Sequence, residues 1–259
     1  MTVVGVVQAR AGSSRLPRKV LADIGGEPML AKVLARLHRS STVDEIVVAT
    51  TDAPEDDAVA DVAARAGARV HRGPVLDVLE RFVGAVAGAD ERDVVVRVTA
   101  DCPFVDPDVV DLCVARILDG TADFVANRLP PPHPRTYPVG LDVEVVRVAA
   151  LRRAGREAVA RFEREHVMPY LYGHPDRFAV EVLDLDEDLS EMRWTVDTPE
   201  DLALAVAVDA LAGPEPYGWH EVLRVVREHP EIARLNQDLE QKRVDVVDAR
   251  WDAPSPPGR

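Results

Sequence analysis

The sequence predicts an α/β fold in three layers, a mostly parallel sheet covered by helices on both faces. Three observations carry that expectation. Short runs rich in Val, Ile and Phe alternate with helical periodicity along most of the 259 residues, the pattern of parallel sheets crossed by helices. The runs are apolar on both sides, as in Val3-Val4-Gly5-Val6-Val7 and Val94-Val95-Val96, which suits strands buried from two faces. With 47% hydrophobic residues, and about 150 residues to an average domain, the chain is one large domain or one domain with a sizeable insertion.

The elements follow in order. The first strand is expected over 3–7 and runs directly into a polar loop from Gln8 to Lys19. After Pro28, the spacing of Met29, Leu30, Val33, Leu34 and Leu37 lines one face of a helix. Further strands are expected over 45–50, 93–99, 124–126, 142–146, 178–183 and 193–196, and helices over 55–65, 75–87, 107–118, 147–156 and 199–211. The regularity breaks over 127–176, where Leu129-Pro130-Pro131-Pro132-His133-Pro134 cannot sustain a helix and reads as a stiff extended loop, an inserted excursion from the sheet. Two short helices around Pro230 are expected within 214–251, completing a single domain over 1–251, and the Pro-rich 252–259 reads as a disordered tail.

Composition narrows the function. A formal charge of −14 disfavours a protein that holds nucleic acid through many phosphate contacts. Cys102 and Cys113 lack the spacing of a zinc site or a disulfide framework, so two structural thiols in a reducing, cytoplasmic setting are expected. The apolar start is too short for a secretory core and meets Arg10 at once, and no charge-free run approaches the roughly 18 residues needed to span a bilayer. The expected partners include neither membrane nor nucleic acid.

Against this acidic background, the segment Gln8-Ala9-Arg10-Ala11-Gly12-Ser13-Ser14-Arg15-Leu16-Pro17-Arg18-Lys19 holds four cations and no acid. Gly12, Ser13 and Ser14 form a small turn whose backbone N–H groups can approach an anion, with Arg10, Arg15 and Lys19 to neutralise it. The loop stands at the carboxyl end of the first strand, where open parallel sheets bind ligands. Only three of the 31 basic residues are lysines, and the compact ammonium of Lys19 suits a triphosphate. The spacing is not that of a Walker A loop, and a solvated basic loop is the alternative.

The acids are fewer and spread out. Asp101 lies just past the strand over 93–99, at the same edge as the loop. Asp197 precedes Thr198-Pro199-Glu200-Asp201, which reads as a helix start capped by Thr198. Asp197 is either part of that cap or, with Asp101, a carboxylate pair for Mg²⁺, which needs few carboxylates when phosphates are present. Asp142 and Glu144, two apart on a strand, project to one face as a surface pair or as the border of a pocket. His166 and Tyr170, four apart, share a face if the segment is helical; a packed histidine is the alternative there.

Read together, Val6-Val7-Gln8-Ala9-Arg10, Gly12 through Leu21, and Ile24-Gly25-Gly26-Glu27-Pro28-Met29-Leu30 resemble the opening of the cytidylyltransferases that activate acidic sugars, such as 3-deoxy-manno-octulosonate and acylneuraminate, as CMP conjugates. The SpsF-like branch of spore-coat polysaccharide biosynthesis is matched more closely. Thr99-Ala100-Asp101-Cys102-Pro103, Tyr137 through Glu144, Glu165 through Tyr170 and Arg193 through Leu202 look like that branch, so the resemblance spans 3–242.

The resemblance implies a sheet of the sugar-nucleotidyltransferase (GT-A-like) type. It implies CTP held by Gln8, Ala9, Arg10, Ala11, Gly12, Ser13, Ser14, Arg15, Lys19, Thr99 and Asp101, with Lys19, Arg10, Arg15 and Asp101 as the catalytic group and Asp101 and Asp197 as Mg²⁺ ligands. A small anionic acceptor would meet Asn127, Arg128, Arg135, Tyr137, Gly140, Asp142, Glu144, His166 and Tyr170, because an arginine can pair with its carboxylate or phosphonate. An acceptor oxygen would attack the α-phosphorus of CTP and release pyrophosphate. A homodimer formed through 127–176 is also implied. One departure stands out: Arg18 occupies a position that is usually glycine, which unsettles the path of the loop and offers a fourth cation. A nucleotidyltransferase using UTP or GTP, a former glycosyltransferase of the same fold, and a catalytically silent nucleotide-binding subunit are the alternatives.

Overall fold

A computed structural model of the protein describes residues 1–239 and 247–252. In chain order its strands are β1 (Val3–Gln8), β2 (Asp23–Ile24), β3 (Glu27–Pro28), β4 (Glu45–Thr51), β5 (Arg69–Gly73), β6 (Val94–Thr99), β7 (Phe124–Ala126), β8 (Glu144–Arg147) and β9 (Val180–Val182). Its α-helices are α1 (Met29–Leu37), α2 (Asp57–Arg65), α3 (Val78–Ala85), α4 (Pro107–Asp119), α5 (Val148–Glu157), α6 (Arg161–His166), α7 (Pro169–Tyr172), α8 (Pro199–Ala212), α9 (Trp219–Glu228) and α10 (Pro230–Ala233).

Seven strands form the main sheet in the order β5-β4-β1-β6-β8-β7-β9. β1 pairs in parallel with β4 and β6, β4 with β5, and β7 with β9, while β8 runs antiparallel between β6 and β7. Strand alternation builds two cores. Val3 and Val7 of β1 and Val94, Val96 and Val98 of β6 join α1, α2, α4, α8 and α9 on one face. Val4, Val6 and Val95 join α3, α5 and α7 on the other. Among the described residues, no helix is long and apolar enough to cross a membrane. Cys102 and Cys113 are free and buried, and burial pushes the Cys113 thiol up to about 12, which suits a packing role.

Several sequence expectations are corrected. Segment 127–176 is not an excursion from the sheet as a whole: Glu144–Arg147 returns to its middle as β8, and only the Pro-rich stretch before it leaves. The expected strand over 193–196 makes no ladder; it contributes one bridge, Val139 to Arg193, and threads between loops. β5, with two arginines and a histidine among five residues, was not expected. It is an edge strand, and edges tolerate charge that the sheet interior does not. The tail expected over 252–259 lies, from residue 253 on, outside the described residues, and so does the masked part of the expected C-terminal helical region, which includes Lys242.

Candidate functional site

The carboxyl ends of β1 and β6 lie side by side, with Gln8 opposite Thr99 in register. The loop after β1 opens a pocket of about 260 Å³ lined by Gln8, Arg10, Gly12, Ser13, Ser14, Arg15, Lys19, Thr99, Asp101, His166 and Asp197. Four further lining residues, Val20, Leu76, Val78 and Glu165, were not among the expected site residues. A Cβ on Gly12 would meet no protein atom within 4 Å, so its missing side chain leaves room on the pocket side. Ala9 and Ala11, expected in the nucleotide site, are buried behind the loop. The Ala11 amide is not available to a phosphate because it donates to Oδ1 of Asp56 at 2.6 Å.

That buried aspartate anchors the loop. Oδ2 of Asp56 also accepts from the Thr51 amide at 3.3 Å and from the Thr51 hydroxyl, which ties the turn after β1 to the end of β4. Arg18 adopts the left-handed conformation, φ 59° and ψ 22°, as a glycine would without strain. The Arg18 side chain is exposed and is not among the residues lining the pocket.

Lys19 is the hub. Its Nζ donates to Asp101 Oδ2 and Asp197 Oδ1, both at 2.7 Å, and to the Val196 carbonyl at 2.9 Å. The two aspartates are 96 positions apart in sequence, yet they converge on one ammonium. The second oxygen of Asp197 meets Arg15 and Arg193, each at 2.9 Å. Burial alone would lower the Lys19 pKa, but the two carboxylates reverse this and raise it. Burial would likewise raise Asp101; the Lys19 charge overrides it and holds the carboxyl at about 2. Behind them, Asp201 is buried and accepts from Arg193, from Asn236 and from the backbone of Asp197 and Thr198. Its place in the helix start was foreseen, but its role in holding Arg193 and Asp197 was not.

The expected acceptor side divides. Gln8 is joined through Arg97 to Glu144, and Arg128 lies 3.4 Å from Asp142 and 3.9 Å from Glu144. Arg135 pairs with Asp142. Asp142 and Glu144 do share a face, but as members of a largely buried network and not as a surface pair. Four other residues expected there make contacts within the fold. Asn127 spends both ends of its amide on the Leu141 carbonyl (2.7 Å) and the Val143 amide (2.8 Å). Tyr137 is buried in the core. Gly140, at φ +103°, lies so close to the next segment that a Cβ would fall 2.3 Å from the Thr195 nitrogen, so its role is backbone packing. Tyr170 bonds Glu157 and Arg177 and packs on Phe178, apart from the pocket lining.

His166 does line the pocket, but it shares no helix with Tyr170. Val167, at φ +73°, forms a γ-turn in which the Met168 amide donates to the His166 carbonyl at 2.9 Å. Positive φ at a β-branched residue is strained. The turn ends α6 and resets the helical phase, so Tyr172 is the tyrosine that senses Glu144 and Arg128; burial first, then Glu144, pushes it up to about 12. At the pocket edge, Glu165 accepts from the Asp248 amide and the Trp251 indole, and Asp248 approaches Arg10 at 3.5 Å.

A mostly parallel sheet carrying a cationic loop after its first strand, opposite two convergent aspartates, defines the chain as a nucleotidyltransferase. It belongs to the cytidylyltransferase family, whose model matches residues 4–246. The chain is 31% identical over 239 residues to the spore coat polysaccharide biosynthesis protein SpsF of Bacillus subtilis (strain 168), covering 89% of this chain and 96% of that protein. It is 31% identical over 252 residues to the 3-deoxy-manno-octulosonate cytidylyltransferase of Anaeromyxobacter sp. (strain Fw109-5), with 82% and 98% covered. A solved cytidylyltransferase from Leptospira borgpetersenii serovar Hardjo-bovis (strain JB197) superposes with a TM-score of 0.84 at 29% identity, over 93% of this chain and 99% of that one.

Proposed function

We propose that this cytidylyltransferase transfers CMP from CTP to a small anionic acceptor, an acidic sugar, sugar phosphate or phosphonate, and releases pyrophosphate. The observation that carries the reading is Lys19, whose ammonium joins Asp101 to Asp197 inside a pocket that Arg10, Arg15 and the turn 12–14 also line. Such a transfer needs positioning and charge neutralisation more than covalent help from the protein. Arg10, Arg15 and Lys19 neutralise the triphosphate and the departing pyrophosphate, and the turn amides orient it. The network of Arg97, Arg128 and Arg135 against Asp142 and Glu144 has one positive charge in excess, which favours an acceptor that brings a negative one.

The residues fit Mg²⁺. Asp101 and Asp197 already flank a cation, and a metal that keeps its waters and takes phosphate oxygens needs no more than two carboxylates. Those two would hold it, and when bound it would supply charge neutralisation at the α-phosphate. Before substrate arrives, Lys19 holds the two carboxylates together.

The test is pyrophosphate release from each of the four nucleoside triphosphates, with magnesium and a panel of 3-deoxy-manno-octulosonate, N-acetylneuraminate, sugar phosphates and a small phosphonate. The expected result is turnover with CTP and one class of anionic acceptor, reduced about 10²–10³-fold in Lys19→Ala. Turnover in Lys19→Ala equal to the parent's removes Lys19 from the chemistry, and preference for another nucleotide removes CTP.

A further inference from the structure

The reaction requires one base to be chosen among several, and one side chain in the pocket has its hydrogen-bond polarity set from behind. Gln8 ends β1 and lines the pocket. Its carboxamide oxygen accepts from Nη2 of Arg97 at 2.9 Å. A guanidinium has donors and no acceptor, so the oxygen of Gln8 must face Arg97, and its NH₂ is left for the pocket. Turning the amide over would set N–H against N–H and forfeit a charge-assisted bond.

Arg97 cannot swing away to relax this choice. It stands on β6 directly opposite Glu144 of β8, in register and ion-paired with it. Its guanidinium lies 5.8 Å from the centre of the Phe82 ring, and the residue is only 8% exposed. A buried arginine held by a cross-strand partner and an aromatic face is a rigid support.

The pocket also has two chemically distinct parts. Arg10, Arg15 and Lys19 suit the phosphates, whereas Leu76, in the turn before α3, and Val78, its first residue, offer apolar wall to a flat base. Alternation along β1 puts Gln8 on the same face as Val4 and Val6, the face that Val78 and Leu79 cover. The donor of Gln8 is therefore on the apolar wall's side of the sheet.

We propose that Gln8, with its amide oriented by the Arg97–Glu144 pair, reads the base: its NH₂ donates to the unprotonated ring nitrogen N3 of cytosine, where uracil carries an N–H. The proposal rests on the use of CTP and names the residue that selects it. Arg97 and Glu144 act on the base through Gln8, as positioning residues. Opposed donors leave both unpaired, a mismatch worth on the order of 10–100-fold in affinity.

Calorimetry on the full chain with magnesium, using CTP, UTP and ATP as probes, tests this. The parent is expected to bind CTP at least about tenfold more tightly than UTP. Gln8→Met, which keeps length and removes the donor, should weaken CTP about tenfold, leave UTP nearly unchanged and so collapse the ratio. Replacing the buried pair by apolar groups, Arg97→Met with Glu144→Leu, is the kind of exchange folds tolerate. It should free the amide to turn, improve UTP binding, and shrink the further effect of Gln8→Met. A merely structural pair would shift the melting temperature and leave the CTP:UTP ratio alone. An unchanged ratio in Gln8→Met, with the parent preferring CTP, overturns the assignment of Gln8 and leaves the CTP reading standing. A parent that binds CTP no better than UTP and ATP overturns both.

Discussion

Lys19 shows how one side chain sets the charge state of a neighbour, Asp101, and so leaves a signature in stability. The Asp101 carboxyl is held at about 2 in the fold against an ordinary value of 3.8. A depressed carboxyl contributes stability that is complete above its unfolded value and is lost as pH falls through its folded value. Urea midpoints measured from pH about 4 down to about 2 should therefore fall more steeply in the parent than in Lys19→Met, which lacks the partner. Parallel curves would mean that Lys19 does not hold Asp101 charged. Arg18 offers the opposite case, a residue in a conformation that suits glycine. Arg18→Gly should raise stability by about 0.5–1 kcal/mol, since the Cβ strain of the left-handed region exceeds the added freedom of the unfolded chain. Because its side chain stands outside the pocket, turnover should stay at the parental level, and a loss of turnover would restore Arg18 as a fourth cation. The cations were legible from their density in an acidic chain. That Lys19 would bridge both aspartates was not, because no local pattern brings residues 19, 101 and 197 together.

At the scale of the element, the loop after β1 depends on an acid that sequence reading passed over. Asp56 is one of three consecutive acids, Glu55-Asp56-Asp57, and looks like part of a helix start. In the fold it is the buried carboxylate that pins Ala11 and Thr51. Asp56→Ala should cost about 2–3 kcal/mol by stranding buried donors, and it should raise KM for CTP more than it lowers kcat, because the loop would lose its anchor. A stability loss with KM unchanged would reduce Asp56 to scaffolding. The γ-turn at Val167 was equally hidden, since a β-branched residue at positive φ runs against every local preference. Its consequence, Tyr172 in place of Tyr170 beside Glu144, is a phase error that periodicity alone cannot detect. By contrast, the capped start of α8 was plain in Thr198-Pro199-Glu200-Asp201, where the Thr198 hydroxyl accepts from the Asp201 amide at 3.3 Å.

For the whole molecule, the expectation of a homodimer becomes a prediction tied to the surface after α5. Val159 is 88% exposed and Phe162 39% exposed, apolar groups three positions apart in the segment expected to mediate the contact. Light scattering behind size exclusion should give about twice the 28.3 kDa of the chain, and Val159→Asp should lower that mass. A parent that stays monomeric on concentration would remove the dimer. Most strands and helices could be read from the sequence because burial on both faces writes itself into apolar runs and into 3–4 spacing, which are local properties. So could the charged loop and its neighbourhood at the end of β1. The order of the seven strands, the reversal of β8, the use of Asn127, Tyr137 and Gly140 as packing elements, and the side of Gln8 that faces the pocket were decided only by tertiary structure. Each of these depends on which groups distant in sequence come into hydrogen-bonding or van der Waals range, and one chain of residues does not state its own long-range contacts.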